Sequence, residues 1–259
     1  MVKGKALTVE SFEKNEKYSR QIMMPEIGEA GQEKLEKASI LVVGCGGLGA
    51  PVLYYLTAMG IGHIGLCDGD KVALSNLNRQ ILFTIKDIGK PKAKTAAKRI
   101  KALNPDIKTN VYDHYIDETN AKKIIPKYDI IIDCLDNFEA RFILNDICIA
   151  SNKPLIHAGA GEFYGQFMTI IPGKSPCLRC LFPNGVPKTS TEKPTGIIGT
   201  TPGVIGAMQA TEAMKYILGL PITDTGLTTY DALEMNAKKV EIKQSEKCIC
   251  ILINKPGCL

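Results

Sequence analysis

The stretch Ser39-Ile40-Leu41-Val42-Val43-Gly44-Cys45-Gly46-Gly47-Leu48-Gly49 decides how this chain reads. An apolar run feeds a glycine turn, and the uncharged residues that follow predict a helix over 49–59. A second apolar run, His63–Cys67, ends at Asp68. The order is strand, glycine turn, helix, strand, carboxylate. Gly44, Gly46 and Gly47 permit a tight turn and close approach of backbone to a pyrophosphate. Leu48 and Gly49 open the helix, and Gly49 lets it pack on the sheet. An acid about 20 residues further on, here Asp68, can accept hydrogen bonds from ribose hydroxyls.

The alternation continues outward. A polar helix is expected over 26–37, strands over 63–68, 108–113, 128–133 and 154–158, and helices over 91–103, 118–125 and 137–151. Ile130-Ile131-Ile132 reads as a strand buried on both faces. Strands alternating with helices predict an α/β, Rossmann-like doubly wound parallel sheet. After residue 160 the pattern changes. Segments 165–171, 227–231 and 240–243 read as strands without crossover helices, which makes them antiparallel additions to the same sheet. A helix over 204–218 stops at Gly219, before Pro221. Residues 183–201, rich in Pro, Gly, Thr and Lys, form a loop long enough to carry function. At 259 residues the expectation is a single extended domain, with a nucleotide-binding half over 1–160 and an antiparallel half over 161–259.

Composition excludes several classes. Lys and Arg number 32 against 27 Asp and Glu, a net charge of +5, with no dense basic tract interleaved with aromatics, so no nucleic-acid partner is expected. Residues 38–67 carry no Asp, Glu, Lys or Arg and are long enough for a membrane span. Seven glycines and Pro51 nevertheless fall where a strand–turn–helix–turn–strand needs them, so no membrane partner is expected. Residues 1–15 are charged and lack the apolar centre of a signal peptide, and a cytoplasmic location is expected. Nine cysteines, an odd number without a secretory signal, point to reduced thiols or a metal site. Cys45, Cys67, Cys134 and Cys148 lie in apolar patterns and read as small buried hydrophobes.

Three clusters carry chemistry. In Gly89-Lys90-Pro91-Lys92-Ala93-Lys94, Pro91 suits a helix start, yet lysines there oppose the positive end of the helix dipole. A solvated basic face would explain them. Arg79, in Asn76-Leu77-Asn78-Arg79-Gln80, makes a bound polyphosphate the better reading. Asp133 and Asp136, in Asp133-Cys134-Leu135-Asp136-Asn137, fall at the carboxyl edge of the most hydrophobic strand, where open α/β sheets bind ligands. Asp136 reads as a helix cap or, beside a triphosphate, as a Mg²⁺ ligand. Cys177-Leu178-Arg179-Cys180 has the spacing of a zinc knuckle. Cys248, Cys250 and Cys258 are the candidates to complete a structural tetrathiolate. An NAD-dependent oxidoreductase would explain the glycine turn and Asp68 but leaves Arg79 and Lys92 without a role.

The ordered series Tyr18-Ser19-Arg20-Gln21, Gly31-Gln32-Glu33-Lys34-Leu35, the glycine turn, Asp68-Gly69-Asp70, and segments 75–80, 89–92, 133–137, 177–180 and 203–212 resembles the MoeB/ThiF/HesA family. These are E1-like adenylyltransferases related to ubiquitin-activating enzymes. The resemblance implies ATP-dependent activation of a carboxylate, usually the C-terminal glycine of a ubiquitin-like sulfur carrier of the MoaD or ThiS type. It also implies Mg²⁺, a structural Zn²⁺ and a homodimer. By motif, Asp68 would hold the ribose, Arg79 and Lys92 the phosphates, and Asp136 the Mg²⁺. Arg20 would reach the triphosphate of the other subunit. Asp70, Asn76, Gln80 and Asn137 would complete the nucleotide site, and residues 161–259 would carry zinc and the acceptor. A free carboxylate is already ionised at pH 7 and needs no general base, so positioning and charge stabilisation are the whole task.

Two departures stand out. Segment 189–201 lacks the crossover cysteine of ThiF-like proteins, so covalent transfer to this chain's own thiol is not expected, and a downstream sulfur-transfer or thiol partner would be needed. The C-terminal cysteine pair is Cys248-Ile249-Cys250 where the family has C-x-x-C, so either this pair serves or Cys258 replaces one member. Two alternatives also remain: a non-catalytic E1-like scaffold, and a relative of HcgE that activates a small pyridinol carboxylate.

Overall fold

The computed structural model describes residues 16–185, 196–245 and 248–252, and in it every strand joins one eight-stranded sheet. In chain order the elements are α1 (Ser19–Ile22), α2 (Gly28–Lys37), β1 (Ser39–Val43), α3 (Gly49–Ala58), β2 (His63–Cys67), α4 (Lys92–Leu103) and β3 (Lys108–Tyr112). There follow α5 (Glu118–Ile124), β4 (Ile130–Asp133), α6 (Phe138–Ala150), β5 (Leu155–Gly161) and β6 (Tyr164–Ile170). The last are α7 (Leu178–Leu181), α8 (Thr200–Leu218), β7 (Gly226–Asp231), β8 (Asn236–Glu241) and α9 (Ile249–Leu252).

The spatial order is β3-β2-β1-β4-β5-β6-β7-β8. The first five run parallel and the last three are added antiparallel, as the change of pattern after residue 160 predicts. Strand order reverses between β1 and β4, and the crevice at that switch point is where an open α/β sheet takes a ligand. β1 and β4 form the centre because both faces of each are apolar. Ile40 and Val42 join the core under α3 and α8, while Leu41 and Val43 join the one under α5 and α6.

Helix limits follow local chemistry. Asp117 and Asn120 exchange backbone–side-chain hydrogen bonds of 2.8 and 3.0 Å, a capping box that starts α5. α8 ends where Gly219 adopts φ 76° and Leu220 N–H bonds back to Lys215 O. The strand expected over 240–243 is instead Asn236–Glu241. All six of its residues are exposed, so no alternation marks it, and the apolar Ile242 just beyond it misleads. Among the described residues no helix is long and apolar enough to cross a membrane.

Candidate active site

The glycine turn is fixed by collisions that only glycine avoids. Gly44 has φ +96°, and a Cβ there would lie 2.5 Å from Cys134 O. A Cβ on Gly49 would lie 2.0 Å from Gly44 O. Gly44 N–H bonds to Cys67 O, and Asp68 accepts from Cys45 N–H at 2.7 Å and Asp70 N–H at 2.8 Å. Burial raises the Asp68 pKa, and the two backbone N–H groups oppose the rise. A carboxylate offers about four lone-pair sites, so Asp68 can brace the turn and still accept from a ligand.

Lys92 opens α4 and is 6% exposed. Its ammonium donates to Asp70 Oδ2 at 2.8 Å, while Tyr115 O–H donates to Asp70 Oδ1 at 2.6 Å. Partial burial pushes the Asp70 carboxyl up, but these two hydrogen bonds prevail and hold it below the usual range. Arg79 donates to Ser75 O and Asn78 Oδ1. Gln80 is buried, and its Oε1 has no hydrogen-bond partner. Asp136 is exposed between β4 and α6, and Asn137 caps α6 through Ala140 N–H at 2.9 Å.

One cavity of about 740 Å³ gathers most of the expected residues: Gly44, Gly46, Gly47 and Leu48 from the turn, Asp68 and Asp70 after β2, then Arg79, Gln80, Lys92, Asp136 and Asn137. Three candidates do not line it. Gly49 lies beneath the turn, Asn76 accepts from Ala73 N–H within a 3₁₀ turn, and Arg20 stands exposed on α1. A second cavity of about 660 Å³ runs over β5, β6 and β7. Arg141 and Ala160 line both.

Sequence reasoning missed Arg141, although its place one helical turn beyond the Asn137 cap is a usable signal. It also missed His157, which is fully buried and whose Nδ1 meets Asp133 Oδ2 at 2.6 Å. Burial holds the His157 pKa down against that hydrogen bond. Asp133 lies in the interior, not at the ligand edge, and its Oδ1 accepts from Leu135 N–H at 2.9 Å.

The sulfurs of Cys177, Cys180, Cys248 and Cys250 lie within 4.8 Å of one another. A tetrahedral thiolate site with bonds of about 2.3 Å spaces its sulfurs about 3.8 Å apart, so the set can hold such a metal. The Cys177–Cys248 and Cys180–Cys250 pairs stand at 3.4 and 3.5 Å. The Cys250 thiol, hydrogen-bonding to Cys177, does most to hold the Cys177 pKa down at about 5. α7 is pinned to α6 by Leu178 N–H to Asn145 Oδ1 and by a forked Arg179–Asp146 ion pair. Cys258 lies outside the described residues, as do residues 186–195 of the long loop.

Comparison with known proteins places the chain among relatives over nearly its whole length. A sulfur carrier protein adenylyltransferase of Thermus thermophilus is 40% identical over 244 residues, which is 91% of this chain and 90% of that protein. A SAMP-activating enzyme E1 of Haloferax volcanii is 40% identical over 239 residues, 90% of this chain and 87% of that one. Escherichia coli MccB, solved with AMPCPP and MccA, matches 92% of this chain and 74% of its own with a TM-score of 0.82 at 27% identity. Residues 18–250 match the ThiF family model, and the chain belongs to the ThiF family.

Proposed function

We propose that the protein is an ATP-dependent adenylyltransferase that activates the C-terminal glycine carboxylate of a ubiquitin-like sulfur carrier protein, releasing pyrophosphate. The observation that carries this reading is the nucleotide cavity, with Arg79, Lys92 and Asp136 around the glycine turn, opening at Arg141 onto a second groove. The names of the Thermus and Haloferax relatives support the acceptor.

In this mechanism the backbone of Gly46, Gly47 and Leu48 approaches the phosphates, and Asp68 receives the ribose hydroxyls. The acceptor carboxylate attacks the α-phosphorus as an anion, so no side chain has to remove a proton. Arg79 and Lys92 stabilise the negative charge that gathers on departing pyrophosphate. Asp136, an exposed carboxylate, would hold Mg²⁺, which supplies further charge neutralisation at the phosphates. The four cysteines would hold a structural Zn²⁺ in a closed site that cannot activate water. Arg20 would act across a homodimer interface, and the whole described chain would work as one E1-like domain in the cytoplasm. With no cysteine in segment 189–201, sulfur transfer falls to another protein.

ATP–pyrophosphate exchange with candidate carriers tests the reading. Arg79→Ala and Lys92→Ala are expected to lower exchange by about 100-fold or more, with far smaller loss of stability. Full activity in both would overturn the assignment. Exchange driven only by small aromatic carboxylates would replace the protein acceptor. Binding of NAD in preference to ATP–Mg²⁺ would replace the reaction class. Mixed Arg20→Ala and Lys92→Ala subunits should regain activity if Arg20 acts in trans.

A further inference from the structure

Arg141 lies where the two cavities meet, lines both, and is only 7% exposed. A guanidinium has five N–H donors. Among the described residues Arg141 uses one of them, to Leu135 O at 2.5 Å, and its buried Nε has no hydrogen-bond partner. The nearest carboxylate, Asp133, stands 3.9 Å from Nε. That separation is beyond hydrogen-bond reach, and Asp133 is held there by Leu135 N–H on Oδ1 and by His157 on Oδ2. Asp133 therefore offsets the charge of Arg141 without consuming its donors. The ring of Phe138, 5.1 Å from the guanidinium carbon, backs one face of the group. On the β5 side, a Cβ at Gly159 would come 3.6 Å from both Nη atoms. The missing side chain keeps that edge open.

A buried arginine with spare donors is a receptor for a planar anion, because its fork matches a carboxylate two bonds at a time. We infer that Arg141 receives the acceptor carboxylate at the mouth of the nucleotide cavity and aligns one oxygen with the α-phosphorus. The inference rests on the adenylation reading above. In the step it serves, a carboxylate oxygen forms a bond to the α-phosphorus. The bridging bond to the β-phosphoryl group breaks, its electron pair leaves on pyrophosphate, and no proton moves. Arg79 and Lys92 act on the leaving side, so Arg141 governs acceptor recognition apart from ATP binding.

The test uses the full chain loaded with a non-hydrolysable ATP analogue and Mg²⁺. It is titrated with a ubiquitin-like carrier ending in Gly-Gly and with the same carrier as its C-terminal amide. The wild type is expected to prefer the acid by about tenfold or more, the effect of a charged hydrogen-bond pair. Arg141→Gln should bring acid and amide to within about twofold while ATP affinity stays unchanged, and Arg141→Lys should keep part of the preference. The inference is overturned if the wild type shows no preference, if Arg141→Gln keeps it, or if ATP affinity falls by the same factor. Should Arg141→Gln fail to fold, Gly159→Val covers the same donors with the arginine in place. It should abolish the preference, and an intact preference there also overturns the inference. If the Arg141-dependent preference holds but no carboxylate drives pyrophosphate exchange, the adenylation reading fails and the carboxylate receptor stands.

Discussion

Gly49 and Gly159 are both buried, and they answer to different constraints. Below the glycine turn, a side chain on Gly49 would strike the backbone carbonyl of Gly44 at 2.0 Å. On β5, a methyl group on Gly159 would meet the Arg141 guanidinium at an ordinary 3.6 Å. Folding forbids the first side chain, whereas packing leaves room for the second. The glycine turn is thus written in positions that backbone geometry leaves to one residue type. The groove beside Arg141 is written in which elements lie side by side, and Gly159 leaves space there that a side chain could fill.

The sharpest way to break this comparison is to add one carbon at each position. Gly49→Ala is expected to cost about 4 kcal/mol or more, or to yield no folded protein. Gly159→Ala should shift stability by no more than about 1 kcal/mol. Equal urea midpoints for the two variants would refute the distinction. The next effect concerns the cysteine cluster, which joins residues about 70 apart. Elemental analysis should find zinc bound stoichiometrically to freshly purified protein. Cys250→Ser or a strong chelator should lower stability by about 2–4 kcal/mol, as for loss of a cross-link. The loss should appear as faster hydrogen exchange in α7 and α9, while β1 and β2 keep their protection. Loss of protection throughout would mean that the halves are not separable.

The smallest effect is a pH dependence in the loop leading to α4. Asp87 accepts from Thr84 Oγ1 at 2.8 Å, Thr84 N–H at 3.0 Å, Arg99 at 2.6 Å and Lys90 at 3.1 Å. The Thr84 hydroxyl first, then Arg99, hold its pKa well below the usual carboxylate range. A depressed folded-state pKa means that this stability is present above the unfolded value of about 3.9. It is lost as pH falls through the lower folded value. Asp87→Asn should therefore cost about 1 kcal/mol near neutral pH, and the gap from wild type should narrow only in strong acid. A constant gap from pH 7 to pH 2 would show that the charge is not what orders this loop.

Legibility followed the same division. Strands buried on both faces announce themselves, as Ile130-Ile131-Ile132 does, and the change to antiparallel pairing shows in the missing crossover helices. β8 is hidden because none of its residues is buried. At the site, Gly44, Asp68 and Lys92 can be read locally, since each acts on chain close to it or through a fixed motif. The position of Arg141 after the Asn137 cap can be read in this way, but its spare donors cannot. They depend on where Asp133 is held, and His157 helps hold it only because β4 and β5 pair with Asp133 opposite His157. No spacing along the chain encodes that register.

The mixed sheet also sets a timetable. β5 and β6 close over a turn of two residues, between Gly161 and Tyr164. At the sheet centre, by contrast, Ser39 meets Asp129 across 90 residues. Short closures forfeit less chain entropy and form sooner. We therefore expect assembly to run against the direction of synthesis, with the late hairpins structured first. β1, although made early, would wait with one edge open until β4 arrives. Pulsed hydrogen exchange during refolding would read this as early protection in the β5–β6 and β7–β8 hairpins and late protection in β1 and β4, and the reverse order would refute it.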